Sequence, residues 1–247
     1  MKCLLLCAGY GVRLYPLTRN KPKPLLAIGG IPLLQRTIEK VQQIKQIDRI
    51  YLVTNHRFVS HFYYWLRSFQ DSSDFKIPIE IFDDMTQSND DRLGAIGDIE
   101  FVIKNAKIDD DLMILAGDNL ILFDLREFID FAFSKKLAVG VKDLKNKELA
   151  KLYGCVTIEN DGLVSDFEEK PAYPASTLIS MGLYYLAKDK LSLFDSYIQE
   201  GNNKDAPGFY IQWLHKQDKL FAYTIKGQWF DIGDIDSYNK ANEFYGE

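Results

Sequence analysis

Lys2-Cys3-Leu4-Leu5-Leu6-Cys7-Ala8-Gly9-Tyr10-Gly11 is the stretch that decides the fold class. A continuous apolar run ending in glycine reads as a strand buried on both faces, as in a parallel sheet, delivering the chain into a loop. Residues 9–30 hold four glycines and three prolines and are expected to be mostly loop. Pro32 then opens a helical pattern with Leu33, Leu34, Ile38, Val41 and Ile44 on one stripe. Strands are predicted at 49–55 and 78–84, and helices at 56–69 and 94–105. The apolar run 112–119 reads as a strand ending in Gly117-Asp118-Asn119. Asp124 is expected to cap a helix through Phe133, with Glu127 completing a capping box. A further strand is predicted at 137–143. This β-α-β-α-β alternation implies a largely parallel sheet with helices on both faces.

After residue 150 the rhythm changes. Strands are predicted at 154–159, 163–169, 178–187 and 220–226, with helices near 189–199, 208–217 and 234–244. The expectation is an α/β fold: a Rossmann-like, mixed, mostly parallel sheet flanked by helices, with a smaller antiparallel lobe. One continuous domain over 1–247 is expected, with halves 1–150 and 151–247. In open parallel sheets the ligand lies beyond the carboxyl ends of the strands. Those ends here carry Gly9-Tyr10-Gly11, Thr54-Asn55 and Gly117-Asp118-Asn119.

Of the 247 residues, 47% are hydrophobic and 26% charged, which excludes a disordered chain. Sixteen glycines and eight prolines exclude collagen and low-complexity classes. The apolar run Cys3 to Ala8 is far too short to span a bilayer, so no membrane association is expected. Cys3, Cys7 and Cys155 cannot form a disulfide framework, which points to a reducing cytoplasm. The net charge of −5 argues against a nucleic-acid partner. That average hides an asymmetry. Residues 1–38 carry Lys2, Arg13, Arg19, Lys21, Lys23 and Arg36 without one acid, giving +6, while the remaining 209 carry −11. A concentrated positive segment in an acidic chain suits one small anionic ligand.

Gly9 and Gly11 allow backbone amides close to a phosphate. A dinucleotide fingerprint would place a third glycine where Leu14 stands, which weakens a dehydrogenase reading. The Gly-Lys-Ser/Thr end of a P-loop is missing. Arg13 offers a planar fork for two phosphate oxygens, and Lys23 a point charge stiffened by Pro22 and Pro24. Asp118 ends an apolar strand beside Gly117. Asp231 lies in Trp229-Phe230-Asp231-Ile232-Gly233, where a carboxylate among apolar neighbours needs a cationic partner. Two carboxylates facing a polyphosphate are a usual protein share of a Mg²⁺ site. His56, His61 and His215 make no metal-ligand spacing with the cysteines, and no nucleophile–base arrangement emerges.

The longer string Ala8-Gly9-Tyr10-Gly11-Val12-Arg13-Leu14-Tyr15-Pro16-Leu17-Thr18, followed by Pro22-Lys23-Pro24-Leu25-Leu26, resembles the signature of the sugar-1-phosphate nucleotidyltransferases. The resemblance runs nearly end to end and is strongest to the glucose-1-phosphate thymidylyltransferases. It departs at Val12, where many members carry a threonine, so that only the backbone amide is kept there. It implies a glycosyltransferase-A-like fold, with residues 1–150 binding the nucleotide. Residues 151–247 are expected to bind the sugar phosphate and supply the second metal carboxylate. The implied partners are a nucleoside triphosphate and a sugar 1-phosphate, with Mg²⁺ as cofactor.

Implied nucleotide contacts are Ala8, Gly9, Gly11, Asn89, Gly94 and Asp118, and implied metal ligands Asp118 and Asp231. Leu93-Gly94-Ala95-Ile96-Gly97-Asp98 is similar to the family segment that packs on the base, with Asp98 in place of a small residue. The polar stretch 86–92 is expected to help select the base. On the sugar-phosphate side the implied residues are Asn119, Gly154, Glu169, Lys170 and Tyr184, carried by the Tyr153-Gly154, Glu168-Glu169-Lys170-Pro171 and Met181-Gly182-Leu183-Tyr184 strings. Tyr184 also reads as a plain core aromatic.

The implied reaction is in-line attack of a sugar-1-phosphate oxygen on the α-phosphorus of the triphosphate, releasing pyrophosphate. A phosphate monoester loses its second proton near pH ~6, so no general base is needed. Arg13, Lys23 and Lys170, with the metal, offset the repulsion between the two substrates. Transfer of thymidylyl or uridylyl to glucose 1-phosphate is favoured. The alternatives are cytidylyl or guanylyl transfer to phosphocholine, mannose 1-phosphate or heptose 1-phosphate, and a silent nucleotide-sugar sensor on the same fold. The chain ends soon after Asp231, so it is expected to lack the C-terminal β-helix or acyltransferase domain of bifunctional members.

Overall fold

A computed structural model describes residues 1–246; Glu247, the last residue of the expected domain, lies outside the described residues. In chain order the elements begin with β1 (Lys2–Leu6), two 3-10 turns, β2 (Ala27–Ile28), β3 (Ile31–Pro32), α1 (Leu33–Val41), β4 (Arg49–Thr54), α2 (Val59–Ser72) and β5 (Ile79–Asp83). Then follow α3 (Ala95–Asn105), β6 (Leu112–Ala116), β7 (Asn119–Ile121), α4 (Leu125–Phe133), β8 (Leu137–Asp143), α5 (Lys147–Ala150), β9 (Gly154–Ile158) and β10 (Val164–Glu169). The chain closes with β11 (Leu178–Leu186), α6 (Leu193–Gln199), α7 (Pro207–Gln217), β12 (Phe221–Thr224), β13 (Trp229–Asp231) and α8 (Ile235–Gly246). The class is the expected one, a mixed sheet flanked by helices with small antiparallel sheets beside it.

Two compact units emerge, and they are interleaved in sequence. The first comprises 1–93, 115–123 and 228–247; the second comprises 94–114 and 124–227. Residue 150 therefore falls inside the second unit and marks no seam in the packing.

In the first unit β1 runs parallel to β4 and β4 parallel to β5, in the registers Lys2↔Arg49 and Ile50↔Ile79. Cys3, Leu4, Leu5, Ile50, Leu52 and Val53 are wholly buried, as an all-apolar central strand requires. β2 and β3 form a short hairpin, and β7 pairs antiparallel with β13 so that Asn119 faces Asp231. Helix α2 starts three residues later than its pattern suggests. The Asn55 side chain accepts the Phe58 amide and holds residues 55–58 in a turn first.

In the second unit β9, β10 and β11 are antiparallel neighbours, β11 pairs antiparallel with β8, and β12 adds to β8 in parallel. Asp124 caps α4 by accepting the Arg126 amide. The Glu127 carboxylate, in the first turn of α4, accepts the Tyr223 hydroxyl through Oε2 at 2.9 Å. No helix among the described residues is long and apolar enough to cross a membrane.

Candidate active site

The first unit gathers four sequence strings on one apolar base. Leu14, Leu26, Leu120 and Ile232 belong to a single buried cluster with Ile28, Leu33 and Ala241. Each of the four stands one to three residues from a charged candidate: Arg13, Lys23, Asp118 and Asp231. The apolar anchors are driven inward by burial, and the shared core fixes the charged neighbours around it.

Those neighbours meet. Lys23 Nζ lies 2.8 Å from Asp118 Oδ2, with the lysine side chain 11% and the aspartate 34% exposed. The Ile232 amide donates to the Asp118 carbonyl at 3.0 Å, which ties the Asp231 segment to Asp118. A Cβ built on Gly233 would lie 3.5 Å from Asp231 Oδ2 and 3.7 Å from Arg13 Nη2, so carboxylate and guanidinium flank one glycine. Burial pushes the Asp118 carboxyl up. The Lys23 ammonium outweighs it, helped by Arg13, and the carboxyl sits below its usual range.

The glycine loop is held at several points. Asn55 Nδ2 donates to the Ala8 carbonyl at 2.8 Å, and the Thr18 hydroxyl donates to the Gly11 carbonyl at 2.7 Å. Gly11 adopts φ +61°, a left-handed conformation that glycine tolerates. Gly9 is exposed. At the next strand end Gly117 packs so closely that a Cβ would fall 2.6 Å from Cys7 Sγ and from the Leu6 carbonyl oxygen. Only glycine lets the Asp118 turn press against the foot of the glycine loop. Asn119 is buried in β7, opposite Asp231.

Asn89 is exposed in a loop built by Asp91, whose carboxylate accepts the amides of Gln87 and Ser88 and the Ser88 hydroxyl. Those bonds hold the Asp91 carboxyl below its usual range. His56, at the end of β4, makes a 2.6 Å contact with Asp83. All three cysteines are free and buried.

The remaining candidates lie in the second unit. Gly94 is buried and precedes α3, whose first amides, Ala95 and Ile96, donate to the Asp205 and Lys204 carbonyls. Glu169, at the end of β10, has a side chain only 7% exposed, with Lys170 Nζ 3.7 Å from Oε1 and itself 60% exposed. Burial pushes the Glu169 carboxyl up, and Lys170 only partly offsets it. Lys170 holds φ +49°, uncommon for a residue with a side chain and a mark of a conformation imposed by surroundings. The Glu169 amide donates to Gln212 Oε1, and its carboxylate presses on the backbones of Gly154 and Gly208. Tyr184 is buried in β11, its hydroxyl accepting from Ser180 at 3.3 Å. Gly208 and Gln212 were not marked by any sequence pattern; only the fold brings α7 against β10.

Among the described residues no group of three or more His, Cys, Asp or Glu side chains is arranged to hold a metal ion. Asp118 and Asp231 offer hard carboxylate oxygens, the donor type that suits Mg²⁺, in the two-carboxylate number that leaves the rest of its shell to phosphate and water.

A family model described as nucleotidyl transferase matches residues 2–247. The bifunctional protein GlmU of Methanocaldococcus jannaschii is 31% identical over 247 residues, which are 99% of this chain and 54% of that protein. The UTP–glucose-1-phosphate uridylyltransferase of Synechocystis sp. is 28% identical over 250 residues, covering 98% of this chain and 62% of the relative. The chain thus spans about half the length of the first of these curated relatives. In three dimensions it is similar to UDP-glucose pyrophosphorylase complexed with UDP-glucose, with a TM-score of 0.82, 22% identity, and coverage of 99% of this chain and 98% of that one. At that identity the likeness shows the fold.

Proposed function

The chain belongs to the nucleotidyl transferase family, and from that premise we propose that it transfers a nucleotidyl group from a nucleoside triphosphate to a sugar 1-phosphate, releasing pyrophosphate. The observation that carries the reading is the convergence of Arg13, Lys23, Asp118 and Asp231 over one apolar cluster. Two cations and two carboxylates so placed can bind a polyphosphate and a divalent ion together.

The glycine-loop amides and Arg13 hold the triphosphate, Arg13 on the departing pyrophosphate. Lys23 offsets charge at the reacting centre. Asp118 and Asp231 would hold Mg²⁺, which supplies Lewis-acid charge neutralisation when bound. Lys170 holds the acceptor phosphate, with Glu169, Gly154, Asn119 and Tyr184 on the sugar side. The acceptor phosphate is ionised at neutral pH, so catalysis rests on positioning and charge neutralisation.

Thymidylyl or uridylyl transfer to glucose 1-phosphate is the favoured specificity, from the Gly117-Asp118-Asn119 and Glu168-Glu169-Lys170-Pro171 strings. The test is a matrix of five nucleoside triphosphates against glucose, glucosamine, mannose and heptose 1-phosphates and phosphocholine, with Mg²⁺, scored by pyrophosphate release. Release that depends on a sugar 1-phosphate supports the reading. Silence across the matrix overturns it.

A further inference from the structure

Tyr10, the middle residue of Gly9-Tyr10-Gly11, turns inward rather than out. It is 4% exposed, and its phenol oxygen lies 2.9 Å from Thr86 Oγ1. Thr86 is 5% exposed, and its hydroxyl lies 2.7 Å from Oδ1 of Asp84, also 5% exposed. The same Oδ1 accepts the Thr86 amide at 2.7 Å.

Donor counting gives the chain a direction. An ionised carboxylate only accepts, and a threonine hydroxyl has one proton to give. Thr86 spends that proton on Asp84, so Tyr10 must donate to Thr86. Burial pushes the phenol's pKa up and keeps its proton in place. The order is Tyr10 O–H to Thr86 O–H to the Asp84 carboxylate.

The far end of this chain is anchored. The Asp84 amide donates to the Thr54 carbonyl at 2.9 Å, and the His56 amide donates to the Thr86 carbonyl at 3.0 Å. Between Asp84 and Thr86, Met85 is driven to φ +65° with its side chain exposed. A bulky residue in that conformation is held there by its neighbours. Thr86 is followed directly by the Gln87–Asp91 loop, which Asp91 organises.

We propose that Tyr10, Thr86 and Asp84 form a positioning relay that locks the phosphate-binding glycine loop to the loop at 86–92, so that placement of the triphosphate's phosphates depends on the loop beside its base. The inference rests on the proposed nucleotidyl transfer. None of the three side chains touches the reacting atoms. Their effect is on how well the triphosphate is held and which triphosphate is held.

The test uses the full chain with Tyr10→Phe, Thr86→Val, Thr86→Ser and the double variant Tyr10→Phe/Thr86→Val. Tyr10→Phe and Thr86→Val are expected to raise KM for the preferred triphosphate about tenfold, the loss expected of one broken buried hydrogen bond. They also narrow its preference over the other four triphosphates. The kcat at saturation and the KM for the sugar 1-phosphate stay within about twofold, since neither reports on the relay. Thr86→Ser keeps the hydroxyl and behaves as wild type. The double variant is no worse than the poorer single, because both break one chain.

A wild-type KM and base preference in Tyr10→Phe overturns the relay while leaving the functional reading intact. A wild-type chain without turnover overturns that reading, and amide hydrogen exchange then decides the relay by itself. Faster exchange in Tyr10→Phe at both 9–12 and 86–92 supports the lock. Acceleration at neither, or at only one, overturns it.

Discussion

Lys23 and Asp118, 95 positions apart in sequence, meet with Nζ and Oδ2 at 2.8 Å. The pair is placed by two buried neighbours, Leu26 and Leu120, in one apolar cluster. It is therefore part of a built centre and is not a chance surface contact. The lysine holds the Asp118 carboxyl below its usual range, and in the proposed reaction it would also stand as a positive charge for phosphate.

Asp118→Asn and Arg13→Ala are expected to reduce turnover by roughly a hundredfold or more, the scale seen when a charge-stabilising group is removed from a reacting centre. Neither residue is part of the apolar cluster beneath, so circular dichroism and the thermal midpoint are expected to show a retained fold. Turnover near wild type in either variant would remove that residue from the mechanism.

The Asp118 carboxyl is held below its ordinary value, chiefly because Lys23 outweighs the cost of burial. A depressed carboxyl contributes stability above its unfolded value, near pH ~4, and the contribution disappears as pH falls through the lower folded value. Lys23→Met removes the cause. Burial then dominates and lifts the carboxyl, so Lys23→Met is expected to be less stable than wild type at pH 6 and to lose less stability than wild type between pH 6 and 3, as urea midpoints across that range will show. An unchanged pH dependence would mean that Lys23 does not set the Asp118 equilibrium.

Glu169 has the opposite sign. Its carboxyl is pushed up, first by burial, with Lys170 offsetting only part. A raised carboxyl is least costly while protonated, so stability is lost as pH rises through the folded value. Glu169→Gln is expected to raise the thermal midpoint at pH 8, with a smaller gain at pH 5. The same substitution should impair use of the sugar 1-phosphate, a case of a functional group retained against stability. Equal midpoints for the two proteins at both pH values would contradict it.

Gly208 provides a cleaner probe of that side. A Cβ there would fall 1.7 Å from Glu169 Oε2, the free end of a flexible side chain, so the carboxylate must move. Gly208→Ala is expected to raise the KM for sugar 1-phosphate about tenfold, the cost of one misplaced charged hydrogen bond, and to leave the triphosphate KM unchanged. Lys170→Ala should give the same pattern. Steady-state kinetics with each substrate varied in turn will separate the two constants. A raised triphosphate KM would place Gly208 elsewhere in the mechanism.

The long elements were legible because burial writes itself into period and composition. β1 and β4 are runs of apolar residues, and α1 carries its stripe from Leu33 to Val41. The charged centre was legible through its strings, since Arg13, Lys23, Asp118 and Asp231 each stand beside the residue that anchors them. What the sequence could not display was pairing at a distance. β7 and β13 are three residues each, too short for a period, yet their register sets Asn119 against Asp231. Tyr10 and Thr86 share no local pattern, and Gly208 looks like any helix start until Glu169 is seen against it.

The most direct test follows the phosphorus atoms. A triphosphate labelled with ³²P at the α position is incubated with a sugar 1-phosphate and Mg²⁺, and a second sample carries the label at the γ position. The account predicts that the α label moves into a product containing the sugar and the γ label leaves as pyrophosphate. An α label recovered as free monophosphate, or a γ label recovered as orthophosphate in place of pyrophosphate, would show hydrolysis in place of transfer and contradict it.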